Sequence, residues 1–296
     1  MKNSRLLAFA QLLRLPNVFT AFADILMATA AVGLLGHHIS IVFHLLIASG
    51  CLYLFGMVLN DLCDRREDER ARSNRPLPSK RVSIRNAVFL ALGLVAAGLA
   101  SVALLPLHAV NLTIVAITLT IAIILYDSVL KHFWIGPIAM GTCRFLNVIL
   151  GSWAFAPDSP VPWHLASVVG LYIVGVTWFA RTEEGASRKW HLIGAAAVMA
   201  VSVALAATVP MHLAAGQSPI YFPYLLVLFG FAVGYPVIAA IRKPTPKSVQ
   251  AAVKRSIFGL VLLDAILATA FVGWPGLLIV LLLLPAIGLG KWVYST

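Results

Sequence analysis

The sequence predicts an all-α membrane protein, a polytopic bundle of nine to ten transmembrane helices. Three observations support this prediction: the composition, the number of long apolar segments and the placement of the basic residues. Of the 296 residues, 60% are hydrophobic and 11% are charged, and the mean hydropathy is +0.93. An ordinary soluble domain has about 25% charged residues. The composition therefore excludes a water-soluble enzyme and a disordered chain, and three cysteines are too few for a disulfide scaffold.

Ten segments are long and apolar enough to cross a bilayer, which requires about 20 residues each. They are 17–36, 41–59, 86–106, 108–126, 134–155, 163–180, 190–210, 220–241, 256–273 and 275–292. Only the corner Gly273-Trp274-Pro275 separates the last two, so these form either a hairpin or one broken element, and nine spans are the alternative. Residues 4–13 predict an interfacial helix ahead of the first span.

The basic residues indicate an orientation. All 22 lysines and arginines except Arg144 lie at the termini or in every second loop, on one face of the membrane. Loops rich in lysine and arginine are typical of the cytoplasmic side. We therefore expect a multi-pass protein of the inner or cell membrane with both termini in the cytoplasm. The same bias explains the net charge of +11, so no nucleic-acid partner is expected.

Acidic residues are concentrated after the second span. Five of the eleven lie between Asp61 and Glu69. If the helix continues past residue 59, Asp61, Asp64 and Asp68 share one face, where like charges repel and need a compensating cation. Carboxylates at the end of an apolar cavity suit Mg²⁺, which also binds substrate phosphates. The alternative is a solvated loop in which these acids pair with neighbouring arginines.

Arginines follow the acidic residues directly. Arg72 and Arg75 lie in the segment 72–83, and guanidinium groups bind phosphate oxygens through two parallel hydrogen bonds. Carboxylates that hold Mg²⁺ beside arginines are suited to bind a diphosphate.

Several motifs resemble the UbiA superfamily of intramembrane prenyltransferases. Asn60-Asp61-x-x-Asp64-x-x-x-Asp68 resembles the first aspartate-rich motif of that family. Asn74-Arg75-Pro76-Leu77-Pro78-Ser79 is similar to the loop that follows, with Lys80 where glycine is usual, and Arg14-Leu15-Pro16-Asn17 is similar to the start of the family. Tyr126-Asp127 and residues 140–147 are similar to the EboC-like branch.

The resemblance implies a single UbiA-like domain over residues 1–296, built around a central cavity open to lipid. It also implies Mg²⁺-dependent transfer of an isoprenyl group from a polyprenyl diphosphate to a hydrophobic, often aromatic, acceptor within the membrane. Asp61, Asp64 and Asp68 would hold the metal, and these three with Asp127 would be the catalytic residues. The substrate-binding residues would be Asn17, Asn60, Arg72, Arg75, Lys131, Arg144 and Asn147.

Three residues outside the acidic cluster leave alternatives open. Lys131 ends the fourth span and either binds diphosphate or extends to the membrane surface. Asp127 holds metal, helps to deprotonate an acceptor or pairs with Lys131. Arg144 lies in mid-membrane, where an unpaired charge costs about 3 kcal/mol or more. It either binds an acceptor or diphosphate together with Asn147, or pairs with one of the two mid-span aspartates, Asp24 and Asp264.

The second aspartate-rich motif of the family is absent in its usual form. At its place stand Glu183 and Glu184, and adjacent helical residues point about 100° apart, so at most one faces the cavity. They would hold a second Mg²⁺ or form surface pairs with Arg181 and Arg188. This departure motivates an alternative function, a catalytically altered relative that binds or carries a prenyl lipid or a prenylated metabolite. A CDP-alcohol phosphotransferase is disfavoured because the glycines of its motif are missing, and a plain transporter does not explain the acidic cluster.

Overall fold

The structure, a computed structural model, describes residues 5–181, 189–214 and 217–294. Every regular element in these ranges is helical, as predicted. The α-helices are α1 (Arg5–Leu12), α2 (Val18–Ala31), α3 (Ile39–Cys63), α4 (Arg65–Ala71), α5 (Ile84–Ala103), α6 (Ala109–Ser128), α7 (Gly136–Ser152), α8 (Val161–Ala180), α9 (Lys189–Ala206), α10 (Phe222–Arg242), α11 (Pro246–Val272) and α12 (Leu283–Tyr294).

Nine segments of the described chain are long and apolar enough to span a membrane, and a tenth is formed if α1 and α2 count as one bent span. The predicted range of nine to ten is therefore confirmed, but the ambiguity lies at the other end of the chain. At the C-terminal corner the chain turns at Gly273, whose φ of 69° ends α11, and a separate span, Trp274–Val293, packs back against it. This corner is a hairpin.

The N-terminal ambiguity has a local cause. Helix α2 has only 14 residues, and the chain between it and α1 bends by 44°. Arg14 has a left-handed backbone (φ 46°), and Pro16 follows within a short 3₁₀ turn, Leu15–Asn17. Proline lacks the N–H that a continuing helix needs, so α1 and α2 cannot form one straight helix.

Consecutive helices are mostly neighbours in space. Large apolar side chains such as Phe89, Ile121, Phe231 and Leu284 point outward, which suits a lipid environment. We call the side that holds the end of α3, helix α4 and the end of α6 the basic face, because the lysine- and arginine-rich loops begin or end there.

Candidate active site

A cavity with a volume of about 60 Å³ lies between α2, α3, α6 and α7, as the resemblance predicted. Its walls are mainly apolar and aromatic, and polar groups occur at both ends. Gly56 allows α3 to approach α6 closely here, because a Cβ at this position would lie 3.1 Å from Ile123 Cγ2 and 3.7 Å from Asp127 Oδ2. The lining residues are Ala21, Ser49, Tyr53, Gly56, Met57, Leu119, Ile123, Tyr126, Asp127, Met140, Cys143, Arg144 and Asn147.

The predicted helical spacing of the acidic cluster is present. The Asp64 N–H donates to the Asn60 carbonyl at 2.9 Å, and the Asp68 N–H donates to the Asp64 carbonyl at 2.9 Å, so helical turns continue from α3 into α4. The three side chains nevertheless separate into two groups. Asp61 and Asp68 contact arginines, whereas Asp64 contacts a lysine of another loop.

Asp61 and Asp68 are both buried and share one cation. Arg75 Nη1 lies 2.6 Å from Asp68 Oδ2 and 3.6 Å from Asp61 Oδ1. Arg14 Nη2 donates to Asp61 Oδ1 at 2.8 Å, and Arg72 Nη1 lies 3.8 Å from Asp68 Oδ1. A single positive group therefore bridges two carboxylates beneath two further arginines.

The second group includes Asp127, which lines the cavity. Lys131 Nζ is 2.6 Å from Asp64 Oδ1, and its side chain is nearly buried. Asn60 Nδ2 donates to Asp127 Oδ1 at 3.0 Å, while Arg14 Nη2 lies 3.3 Å from Asn60 Oδ1. Lys131 thus pairs with Asp64, which joins the loop after α6 to the end of α3. The other oxygen of Asp127 is the one that faces Gly56 in the cavity wall.

Polar side chains form the deep end of the cavity. Arg144 donates from Nη1 to Asp24 Oδ2 at 3.0 Å and from Nη2 to Thr20 Oγ1 at 2.6 Å. Asn147 Nδ2 donates to the same Asp24 oxygen at 2.9 Å, and its Oδ1 accepts from Ser49 Oγ at 2.7 Å. Arg144 therefore pairs with Asp24, one of the two aspartates that the sequence offered, and it also lines the cavity. Its binding of an acceptor or diphosphate stays a prediction.

The predicted site residues do not all meet at the cavity. Asn17 lines a different groove, between the turn before α2 and the helices α11 and α12. Glu183 and Glu184 lie outside the described residues. Conversely, Arg14 contacts two residues of the acidic motif, although the sequence singled it out only as part of the Arg14-Leu15-Pro16-Asn17 segment. The motif could have pointed to Arg14 as a site residue, but the sequence does not give its distance to Asp61.

The carboxylates at the basic face are a candidate site for Mg²⁺. Within the described ranges, no three side chains among His, Cys, Asp and Glu are grouped as a ready metal site. Two carboxylates, Asp61 and Asp68, nevertheless converge on the Arg75 guanidinium. Mg²⁺ is typically bound by one or two carboxylates together with water and substrate phosphates. The pair therefore fits a magnesium ion that arrives with a diphosphate, and the arginines would then contact the phosphates.

Residues 17–258 match the sequence pattern of the UbiA prenyltransferase family. The chain belongs to this family. Both the first aspartate-rich motif and the cavity lie within the matched range. Family membership and the nine apolar spans together make the chain an integral membrane protein of the UbiA family.

This UbiA family member is similar to three further proteins. A digeranylgeranylglyceryl phosphate synthase of Saccharolobus solfataricus is 24% identical over 265 residues, covering 80% of this chain and 87% of the relative. A solved structure concerning digeranylgeranylglyceryl phosphate synthase aligns with a TM-score of 0.68 at 17% identity, covering 90% and 99% of the two chains. A UbiA homologue of Archaeoglobus fulgidus, bound to DMAPP and Mg²⁺, aligns with a TM-score of 0.60 at 13% identity over 88% and 98%. At these identities the structures show a shared fold.

Proposed function

We propose that this UbiA family member is a Mg²⁺-dependent prenyltransferase that moves an isoprenyl group from an allylic diphosphate to a hydrophobic acceptor. One observation carries the proposal. Three separate segments of the chain bring together the carboxylates of Asp61, Asp64 and Asp68 and the cations of Arg14, Arg75 and Lys131. Asn60 links this charged cluster to Asp127 in the wall of the apolar cavity. A prenyl diphosphate requires charged partners for its phosphates, which this cluster provides, and an apolar environment for its prenyl chain, which the cavity provides.

The residues of the charged cluster are suited to bind the diphosphate leaving group. Asp61 and Asp68, with Asp64 close by, would hold Mg²⁺, which when bound supplies positive charge against the departing diphosphate. Arg75, Arg72, Arg14 and Lys131 would then turn from the carboxylates to the phosphate oxygens. Their charge stabilises the diphosphate as the allylic C–O bond breaks and the electron pair leaves with oxygen.

The cavity residues suit the acceptor half of the reaction. The allylic carbocation forms a new bond to the acceptor, and the acceptor then loses one proton. Asp127 is placed to take it, because Asn60 holds one carboxylate oxygen while the other faces the cavity. At the deep end, Arg144 and Asn147 are held in place by Asp24 and would orient a polar group of the acceptor.

The comparisons support the donor class but leave the acceptor open. A relative that aligns over 80% of the chain is a digeranylgeranylglyceryl phosphate synthase, and a protein of the same fold has been solved with DMAPP and Mg²⁺. We infer an isoprenyl diphosphate donor and a membrane-dissolved acceptor. We also propose that the basic face, and with it the active site, is cytoplasmic, because lysine and arginine favour that side.

The test is release of pyrophosphate by the purified protein from geranyl, farnesyl and geranylgeranyl diphosphate, with a panel of aromatic and lipid acceptors. We expect release that requires Mg²⁺ and falls at least about 100-fold in Asp64→Asn, as when a group that stabilises the transition state is lost. Glu67→Gln is the matched control, since it removes one exposed carboxylate from the same cluster. Full activity in Asp64→Asn would contradict the proposal.

A second candidate function is binding or carriage of a prenyl lipid without chemistry. It is favoured by the charge balance of the site, because Asp61, Asp64 and Asp68 are each already paired with a basic side chain. Saturable binding of geranylgeranyl diphosphate with no pyrophosphate release for any acceptor would support this function over transfer.

A further inference from the structure

A second groove opens near the basic face, and it shares no lining residue with the central cavity. It lies between the turn before α2 and the helices α11 and α12, with a volume of about 680 Å³. Lys254 of α11 and Lys291 of α12 line it toward the basic face, together with Asn17. One turn deeper in the same helices its lining becomes apolar, with Phe258 and Ile287. The groove therefore has a cationic end and an apolar end.

A third groove, of about 550 Å³, adjoins it between α10, α11 and α12. The two grooves share Lys254, Phe258 and Ile287. Besides Arg255, which follows Lys254 in the chain, the further lining of the third groove is apolar and includes Val233 and Leu262. Two apolar channels therefore diverge from one cationic end, on either side of the shared pair Phe258 and Ile287.

The lysines of this groove differ from the cations of the active site. Arg14, Arg75 and Lys131 each contact an aspartate, whereas in the described part of the chain Lys254 and Lys291 have no acidic partner. Residues 189–296 contain seven lysines and arginines and one acidic residue, Asp264, which is buried. This region therefore carries a net positive charge. Anionic lipid headgroups attract such basic side chains at the membrane surface.

We propose that the two grooves bind one anionic diacyl glycerophospholipid from the leaflet on the basic face. Its phosphate lies between Lys254 and Lys291, and its two acyl chains occupy the two channels on either side of Phe258 and Ile287. This site is separate from the proposed catalytic cavity, and no step of prenyl transfer depends on it.

The test is native mass spectrometry of the delipidated protein given equal amounts of phosphatidylglycerol and phosphatidylcholine with identical acyl chains. We expect one phosphatidylglycerol to be retained per chain. The variant Lys254→Gln/Lys291→Gln should reduce its preference over phosphatidylcholine about tenfold or more, from the loss of two lysines near a headgroup. The control Lys189→Gln/Lys247→Gln removes the same charge from the same face and should keep the preference.

Two further arms separate a lipid from a free anion. Ile287→Trp adds bulk between the channels without a charge change, and it should weaken retention of phosphatidylglycerol. Inorganic phosphate at millimolar concentration should not displace the lipid. Equal retention of the two lipids by the unaltered protein, or displacement by phosphate, would overturn the proposal. Because Asp64→Asn should bind the lipid as the unaltered protein does, these results are independent of prenyl transfer.

Discussion

Three residues other than glycine have a positive φ in the described part of the chain, and two of them, Arg14 and Lys80, lie near the acidic cluster at the basic face. The left-handed backbone costs an L-residue about 1–2 kcal/mol. At Arg14 this cost is offset by the contacts of its guanidinium with Asp61 and Asn60. Lys80 is exposed and makes no comparable contact with the residues that the structure describes, so these residues do not compensate its strain.

Lys80→Gly should stabilise the protein. Glycine adopts φ near 58° without strain, but it also loses more backbone freedom on folding, so the expected net gain is about 0.5–1 kcal/mol. The measurement is the free energy of unfolding in detergent. Lys80→Ala keeps the strained conformation and serves as the control, with little expected change. A lower stability in Lys80→Gly would show that the lysine side chain contributes more than its backbone costs.

Arg14→Gln should weaken diphosphate binding. The variant removes the guanidinium that donates to Asp61, and hydrogen bonds involving charged groups contribute about 1.5–3 kcal/mol, or roughly 10- to 100-fold in affinity. We expect a higher KM for the prenyl diphosphate in the pyrophosphate assay. Arg5→Gln removes an equal charge at the start of α1 and should leave KM unchanged. An unaltered KM in Arg14→Gln would exclude a phosphate contact.

The helix pairs around the cavity pack through glycines. Helix α7 crosses α8 where Gly141 meets Gly170, and a Cβ at Gly141 would lie 2.7 Å from the Gly170 carbonyl oxygen and 2.5 Å from Val174 Cγ2. Small residues let transmembrane helices approach closely in this way. Because α7 also carries Arg144 and Asn147, this contact positions the deep end of the cavity.

Gly141→Ala should therefore destabilise the α7–α8 pair. A backbone atom cannot move aside as a flexible side chain can, so we expect a loss of about 1–3 kcal/mol, as for other overpacked interiors. Gly93→Ala is the matched control, because its Cβ meets nothing within 4 Å and alanine is the better helix former. Thermal unfolding in detergent measures both. Equal behaviour of the two variants would mean that α7 and α8 separate without cost.

Across the whole molecule, one buried polar network joins helices that are distant in sequence. Thr20 and Asp24 of α2, Ser49 of α3 and Arg144 and Asn147 of α7 are all buried and hydrogen-bonded to one another. Within a membrane such groups are not hydrated, so each must find its partner inside the protein. The network therefore fixes the positions of α2 and α3 relative to α7, at the end of the cavity away from Asp61, Asp64 and Asp68.

Removing one member of the Asp24–Arg144 pair should cost more than removing both. Arg144→Met leaves Asp24 buried without its cation, and breaking a buried pair typically costs about 3–5 kcal/mol. Arg144→Met/Asp24→Leu removes both charges and should recover much of that loss. Unfolding free energies of the two variants and of Asp24→Leu complete the double-mutant cycle. If the losses simply added, the pair would not interact in the folded protein.

Composition and local spacing were enough to predict the class of the fold. Long apolar segments form helices in a bilayer, and the distribution of lysine and arginine assigns each loop to one side of the membrane. The range of nine to ten spans could therefore be predicted without knowledge of any tertiary contact. The Asp61, Asp64 and Asp68 spacing on a continuing helix was also predictable, because it depends on residues within two turns. Family membership followed from short motifs whose order in the chain is itself informative.

Contacts between distant segments could not be predicted in this way. The pairing of Asp64 with Lys131, of Asp61 with Arg14 and of Arg144 with Asp24 rather than Asp264 depends on how helices pack side by side, and no local pattern encodes those distances. For the same reason the sequence assigned Asn17 to the substrate site, whereas the bend at Arg14 and Pro16 places it in the groove of Lys254 and Lys291. Short-range geometry and hydrophobicity determine which segments form helices. Only the packing of these helices determines which side chains of distant segments contact one another.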